Sequence, residues 1–541
     1  MDYVIGVDIG TQSTKALLCD STGRIVAQHS KAYRPDTPQP MWAEQWPQVW
    51  VDAVFSCIAA CVSMATGAEA VFSPARVRGI CISGLYGGSG IPVDAQVDPL
   101  HPCLIWMDRR AESQVQWVRE HINEARLRAI TGNGVDSYYG FTKMLWLKEQ
   151  RPDVWRRTRQ LLPPNAFVIH RLTGLIAVDH CSAGNIGGVY DINVGMWSDE
   201  MLHGLGIPRE LMPARLVRSS DIVGPLAAAA AMQLGLPPGV PVVAGGVDAA
   251  VATLAAGVTR QGQHVAMIGS SMCWGFISQQ VDASHGLVSM PYVYGSPKDA
   301  YVFGGAITAG ASVSWFLEQF CRDLALQAVA TGEDLHELLE GEAARMPPGA
   351  LGLLFLPYLM GERSPIWDGQ ASGAFAGLTL IHTRGHLYRA VLEGVAFALR
   401  HNIEAGSSGS VTLDEALIVV GGAARSDLWM QIISDVTGRS VLTIEEEVEA
   451  AMGAALLAAF GVGLVGPREV ERGWVTLRER AVPGASRASY EPLFQVYKRV
   501  YPALRETMHE LRRLTDAPPQ GTKPVLDDCN SRGSHEAKSR E

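Results

Sequence analysis

The chain has 541 residues, of which 47% are hydrophobic, 18% charged and 7% aromatic, and it carries 45 Lys and Arg against 55 Asp and Glu. Such a composition is that of an ordered globular protein with interior enough for two large cores, and it excludes a small disulfide-stapled scaffold. The formal charge of −10 argues against nucleic acid or an acidic membrane as partner, because a polyanion needs concentrated basic surface; an anionic ligand must be met locally.

The first ten residues have an acid at position 2 and no basic stretch ahead of the apolar run, so they are expected to open a strand and not a signal peptide. Residues 3–8, 16–19 and 25–29 read as an antiparallel meander, joined by Gly10-Thr11-Gln12-Ser13 and by a tight turn over 20–24 containing Gly23. A helix is predicted over 46–66, where Val49, Val51, Val54, Ile58 and Cys61 recur at helical spacing. The apolar stretch 77–82 is a buried strand entering the loop 83–90, and residues 110–180 read as largely helical. A second α/β region opens with a strand at 240–244, which ends in Gly245-Gly246-Val247-Asp248. Another strand, 264–268, ends in Gly269-Ser270-Ser271, and a helix follows the glycine-rich 304–311. Amphipathic helices are predicted over 386–404 and 427–437, separated by a strand at 416–420 that enters Gly421-Gly422. Residues 516–541 hold almost no large apolar side chains and are expected to be a disordered tail. The apolar runs near 225–247 and 450–466 are broken by Gly or Pro and belong in a core, not in a membrane. Nine cysteines with no CxxC pair and no zinc-type spacing point to reduced thiols in a cytoplasmic protein.

Three segments have the residue types that phosphate chemistry needs. Asp8-Ile9-Gly10-Thr11-Gln12-Ser13-Thr14-Lys15 sets a carboxylate at a strand end before a turn whose N–H and O–H donors converge; the carboxylate can hold Mg²⁺ through water. The same residues also make an ordinary hairpin, and neither GxxxxGK[ST] nor GxGxxG is present. Gly269-Ser270-Ser271 repeats the turn in the second half, so a polyphosphate can lie between the two. Gly421-Gly422-Ala423-Ala424-Arg425-Ser426 joins a strand to a helix, where bare backbone and a helix N-terminus admit a base or a phosphate. Asp248, at the end of a buried strand, is either a helix N-cap or a general base that takes the proton of an attacking hydroxyl. The loop 83–90, Trp106, Asp108 and Tyr138 offer the mixture of aromatic faces and polar groups that a sugar site wants, and they serve equally as half-buried packing residues. The shared strand-and-turn pattern of the halves is an echo of internal duplication.

Taken together, these segments resemble the FGGY family of carbohydrate kinases to about residue 500. Asp8–Thr14 is similar to its first phosphate motif, and Phe141-Thr142-Lys143-Met144-Leu145-Trp146-Leu147 to its first signature. Gly373-Ala374-Phe375-Ala376-Gly377-Leu378 with His386-Leu387-Tyr388-Arg389-Ala390-Val391-Leu392-Glu393-Gly394 is similar to its second, and Val419–Trp429 to its adenosine motif. The resemblance implies an α/β fold of two ribonuclease-H-like (actin-like ATPase) domains flanking a nucleotide cleft, at 1–243 on the sugar side and 244–515 on the nucleotide side. It implies ATP and Mg²⁺, with Asp248 as base and Asp8 as the acid near the metal, holding it through water. Thr11, Gln12, Ser13, Gly269, Ser270, Gly310, Gly421, Gly422 and Ser426 fall at the nucleotide; Tyr86, Gly87, Trp106, Asp108, Tyr138 and Asp248 fall at the sugar.

The opening, Trp42-Ala43-Glu44-Gln45 and the segment around Trp429 lean toward the family's xylulose-phosphorylating branch. That branch usually carries Gln-Met-His-Gly after the Ser-Gly of the substrate loop, where this chain has Leu85-Tyr86-Gly87-Gly88; the Arg-Glu of glycerol-phosphorylating members is absent too. The expected reaction is transfer of the γ-phosphoryl group to a hydroxyl of a small open-chain sugar, foremost a pentulose such as xylulose. A tetritol, pentitol, hexulose or sugar acid is the alternative acceptor, and a non-catalytic sugar or nucleotide sensor the distant one. A homodimer is the oligomer that the resemblance suggests.

Overall fold

The opening apolar run forms the strand Tyr3–Ile9, which pairs antiparallel with Ser13–Asp20 and parallel with Val77–Gly84. The structure is a computed structural model, and it describes residues 1–68, 72–85, 88–281, 286–407, 411–444 and 450–516. The tail 517–541 and the two residues Tyr86 and Gly87 therefore lie outside the described residues. Val4, Ile5 and Val7 are inaccessible, as a central strand covered on both faces requires. Six strands complete this sheet in the order Ile222–Pro225, Pro241–Val243, Val77–Gly84, Tyr3–Ile9, Ser13–Asp20, Ile25–Ala32. The helix Pro47–Ala68 lies along it, with Trp50, Val54, Cys57, Ile58 and Cys61 fully buried on a helical stripe. Among the described residues this one helix is long and apolar enough to cross a membrane. Here its apolar stripe is covered by the sheet.

The second sheet runs Val288–Pro291, Ala300–Gly304, Met272–Ser278, His264–Ile268, Ala416–Val420, Ser440–Ile444, Leu477–Ala481. Its core repeats the first: an antiparallel meander, here His264–Ile268, Met272–Ser278 and Ala300–Gly304, extended by two parallel strands. That common order, with helices packed on each sheet, gives two ribonuclease-H-like domains of the actin-like ATPase type. Gly10-Thr11-Gln12 and Gly269-Ser270-Ser271 occupy the same position in the two copies, between the first and second strands.

The halves interlock through two helices that follow the last parallel strand of each sheet, Asp248–Ala255 and Ala450–Gly461. They pack on one another at Gly453, where a Cβ would stand 2.1 Å from the Val251 carbonyl oxygen. Ala450–Gly461 also lies on the first sheet, so close that a Cβ on Gly6 would meet the Ala451 oxygen at 2.1 Å. Only glycine at these positions lets backbones approach so far. The long helix Arg384–Ser407 is tied to the closing helix Arg487–Asp516 by buried Arg389, which bonds Glu393 at 2.8 Å and Tyr490 at 3.0 Å. The eight described cysteines are all unpaired, seven of them buried.

Candidate active site

Three parallel strands of the first sheet deliver their carboxyl ends side by side. Asp8 stands opposite Ser83 in register, and Gly84 bridges to Val247, so Asp8 and Asp248 flank the end of the strand Val77–Gly84. Two strand spacings put them roughly 10 Å apart. A crevice outside strand carboxyl ends is where open α/β sheets take their ligands. Asp8 accepts a hydrogen bond from Ser83 Oγ at 3.2 Å. The turn after it is bolted in place: Gly10 N–H donates to the Ser13 carbonyl at 2.9 Å, Tyr33 Oη to the Gly10 carbonyl at 2.7 Å, and Gln45 Nε2 to the Thr11 carbonyl at 3.1 Å. Thr11 and Ser13 are half-buried and Gln12 is exposed.

On the other side, glycines far apart in the chain come together. Gly310 N–H donates to the Gly269 carbonyl at 2.9 Å, and a Cβ on Gly421 would stand 2.6 Å from the Ile268 oxygen. Around Gly269 and Gly422 nothing lies within 4 Å of a built Cβ, and Gly269, Ser270, Gly421 and Gly422 are all exposed. The helix Gly310–Phe320 starts against the Gly269 turn, adding its N-terminal dipole to that open glycine surface. Ser426 is the N-cap of the helix Asp427–Thr437, its Oγ accepting from Trp429 N–H at 3.0 Å.

Asp248 is the first residue of its helix, and the cap position belongs to Val247. Its Oδ1 accepts from Ala249 N–H at 2.7 Å. Burial pushes the carboxyl up to about 6 against the opposing pull of that N–H and of the Arg363 guanidinium. Tyr138 and Cys273 also lie within electrostatic reach of Asp248, and burial raises them to about 12 and about 11. Cys273 lies two residues beyond the Gly269-Ser270-Ser271 turn, so the glycine–hydroxyl surface of the second sheet and the carboxylate of the first share one crevice.

The residues read from sequence as sugar ligands divide in the structure. Tyr138 faces the Asp248 cluster, and fully buried Lys143 holds it from behind, donating from Nζ to the Tyr138 carbonyl at 2.7 Å. Burial lowers that ammonium to about 7. Trp106 turns instead to the Gly10–Ser13 turn, its indole N–H donating to Thr11 Oγ1 at 3.0 Å. Asp108 is fully buried, with one oxygen on Ala43 N–H at 2.6 Å and the other on Arg110 N–H at 3.0 Å. Arg110 bridges it to Glu44 and lies 3.7 Å over the Trp42 ring, which makes Asp108 a support for the wall.

Glu362, Arg363 and Trp367 were not singled out from sequence. The only signal was a charged pair between two apolar runs, followed by Ser-Pro.

Two copies of a ribonuclease-H-like sheet, each turning a glycine–hydroxyl loop toward one cleft, define a phosphate-transferring or phosphate-hydrolysing protein of the actin-like class. Models of the FGGY family of carbohydrate kinases match the chain, the N-terminal domain over residues 3–255 and the C-terminal domain over 264–462. The chain belongs to that family and is a sugar phosphotransferase. It is 31% identical over 522 residues to a xylulose kinase of Lactococcus lactis subsp. lactis (strain IL1403), covering 95% of this chain and 100% of the relative. A gluconokinase of Bacillus subtilis (strain 168) is 29% identical over 471 residues, covering 86% of this chain and 88% of that one. The crystal structure of xylulose kinase from Rhodospirillum rubrum superposes with a TM-score of 0.83 at 30% identity, covering 94% of this chain and 100% of that one.

Proposed function

We propose that this kinase transfers the γ-phosphoryl group of ATP to a primary hydroxyl of a small open-chain pentulose such as xylulose. One observation carries the mechanism: a half-buried, weakly acidic Asp248 at the floor of a crevice onto which the glycine–hydroxyl turns of both sheets open. In this reading Asp248 orients the acceptor hydroxyl and takes its proton. A bond forms between that oxygen and the γ-phosphorus, the bond from phosphorus to the β,γ-bridging oxygen breaks, and ADP leaves with the electron pair. Backbone N–H and hydroxyl donors of Thr11–Ser13 and Ser270 meet the phosphates, with the bare Gly269 letting them approach, while Gly310, Gly421, Gly422 and Ser426 border the adenosine. This satisfies the requirement set by the acidic composition, since the anion is bound by N–H groups and not by a basic surface.

Among the described residues no cluster of three metal-ligating side chains occurs. The carboxylate of Asp8 fits a Mg²⁺ that arrives on the nucleotide and keeps its waters. Such an ion neutralises charge on the phosphate oxygens. The same proposal keeps the sugar-side and nucleotide-side halves divided at residue 243, and takes the protein as a cytoplasmic homodimer.

Similarity along the whole chain to xylulose kinases supports the pentulose. The pair Tyr86-Gly87 in the substrate loop, together with the gluconokinase relative, supports a sugar acid as the second reading. A coupled ADP-release assay over ketoses, polyols and aldonates separates them, with xylulose expected to give the highest kcat/KM. Asp248→Asn is expected to lose sugar-dependent turnover by several orders of magnitude while binding ATP with little change. Turnover near the parent rate would remove Asp248 from the role of base, and nucleotide binding without turnover of any sugar would make the protein a sensor.

A further inference from the structure

The loop 361–368 enters the crevice from the nucleotide side, and the cation it brings is unmatched among the described residues. Glu362 Oε1 accepts from the backbone N–H groups of Ile307 at 3.0 Å and Arg363 at 2.7 Å, and Ser364 Oγ accepts from Gly305 N–H at 2.8 Å. The backbone on both sides of Arg363 is thereby fixed to 305–307, the segment that runs on into Gly310 and the Gly269 turn. Trp367 fixes the far end across the cleft: its ring stacks on Tyr139 with centroids 6.3 Å apart, meets Tyr138 edge-on at 6.3 Å, and its indole N–H donates to the Gly286 carbonyl. Between these anchors the Arg363 side chain forms no ion pair or hydrogen bond with any described residue, and its Nε is buried without an acceptor.

A buried guanidinium N–H left without an acceptor is costly, and native proteins satisfy nearly all such groups. Asp248 feels the charge of Arg363, yet the two form no ion pair. In a kinase, the space between a proton-accepting carboxylate and a donor fork is where the attacking oxygen and the phosphorus it attacks must lie. Building on the kinase reading above, we propose that Arg363 is a catalytic residue whose guanidinium binds the oxygens of the phosphoryl group during transfer to the acceptor hydroxyl at Asp248. The planar fork suits two phosphoryl oxygens at once, which a lysine ammonium cannot match. Anchored to 305–307 on one side and through Trp367 to Tyr138 and Tyr139 on the other, the loop holds the arginine between the two sides of the cleft.

The test compares Arg363→Met and Arg363→Lys with the parent, using MgATP and the best sugar of the panel. Arg363→Met is expected to lower kcat by about a thousandfold, in the range of other arginines that stabilise phosphoryl transfer, with the sugar KM nearly unchanged. Arg363→Lys is expected to recover a small part of the loss. Added guanidinium ion is expected to rescue Arg363→Met in a concentration-dependent manner, a readout that a packing role would not give. The pH profile supplies a second one. Among the described residues the titratable and charged groups facing Asp248 are Arg363, Tyr138, Cys273 and Cys181, and burial keeps the last three neutral. Removing the Arg363 cation therefore shifts the acid limb of the residual activity to higher pH. A kcat within tenfold of the parent overturns the proposal. A large rise in sugar KM with kcat retained overturns it too, because Arg363 then grips the ground-state sugar. If the parent itself phosphorylates no carbohydrate, the kinase reading fails and this inference with it; an active parent beside an active Arg363→Met contradicts Arg363 alone.

Discussion

A side chain that takes a proton from an alcohol works best with a pKa near the working pH. Burial provides this at Asp248, lifting the carboxyl from the ordinary Asp range to about 6, while Ala249 N–H and Arg363 stop it from rising further. Below that pH the carboxyl holds its own proton and cannot accept another; above it the carboxylate is free to act. The expected profile of kcat/KM for the sugar is therefore flat at neutral pH and falls about tenfold per unit below about pH 6. A limb near pH 4 in a pH–rate measurement would mean that Asp248 is solvated like a surface aspartate. Residue type alone did not separate Asp248 from Asp108, since each is an acid in an apolar setting. What separates them is partners, because Arg110 and Ala43 take both oxygens of Asp108, whereas among the described residues Asp248 has a single short bond, to its own helix. Arg363 was illegible for the same reason: an arginine in a loop reads as solvated, and only the fold shows its Nε buried with no acceptor among the described residues.

At the scale of elements, the crossing of the helices Asp248–Ala255 and Ala450–Gly461 sets the position of Asp248, the proposed base. Gly→Ala inside a helix ordinarily gains about 1 kcal/mol. At Gly341, with nothing within 4 Å of a built Cβ, that gain is expected as a small rise in Tm. At Gly453 the new methyl would stand 2.1 Å from the Val251 oxygen, a backbone atom that cannot swing aside, and overpacking of this kind costs about 1–3 kcal/mol. Gly453→Ala is accordingly expected to lower Tm, and to lower kcat by about tenfold to a hundredfold because Val251 and Asp248 share a helix. Thermal melting beside Gly341→Ala checks this, and equal gains in both variants would show that the crossing tolerates displacement. Elements with a strong period were legible. The strands His264–Ile268 and Ala416–Val420 and the helix Asp427–Thr437 lie where the pattern put them, and the helix predicted over 386–404 extends to Arg384–Ser407. The helix Ala450–Gly461 is legible only as an apolar core run, because Ala and Gly on all sides leave no stripe to detect. Its place on the first sheet is a tertiary fact: it follows from Gly6 and Gly453, whose meaning appears only when another backbone arrives.

For the whole molecule, the two sheets are joined by that helix crossing and by Trp367 against Tyr138 and Tyr139, while the glycine surfaces at 269–270 and 421–422 stay open. A ligand that touches both sides of such a cleft stabilises closed forms over open ones, and a ligand on one side alone does so less. Arg363 sharpens this expectation, because its loop is anchored to 305–307 on one side and through Trp367 to Tyr138 and Tyr139 on the other, so a ligand between the fork and Asp248 touches both. Closure also keeps water from taking the place of the sugar hydroxyl, so ATP turnover without sugar should be slow. Small-angle scattering of the full chain is expected to show a smaller radius of gyration with sugar and a non-hydrolysable ATP analogue together than with either alone. Arg363→Met should still contract if the ligands themselves close the cleft, and then the arginine acts in the chemistry after closure. A radius unchanged by saturating amounts of both ligands would mean that the cleft is preformed, and the exclusion of water would need to come from the Trp367 contact instead.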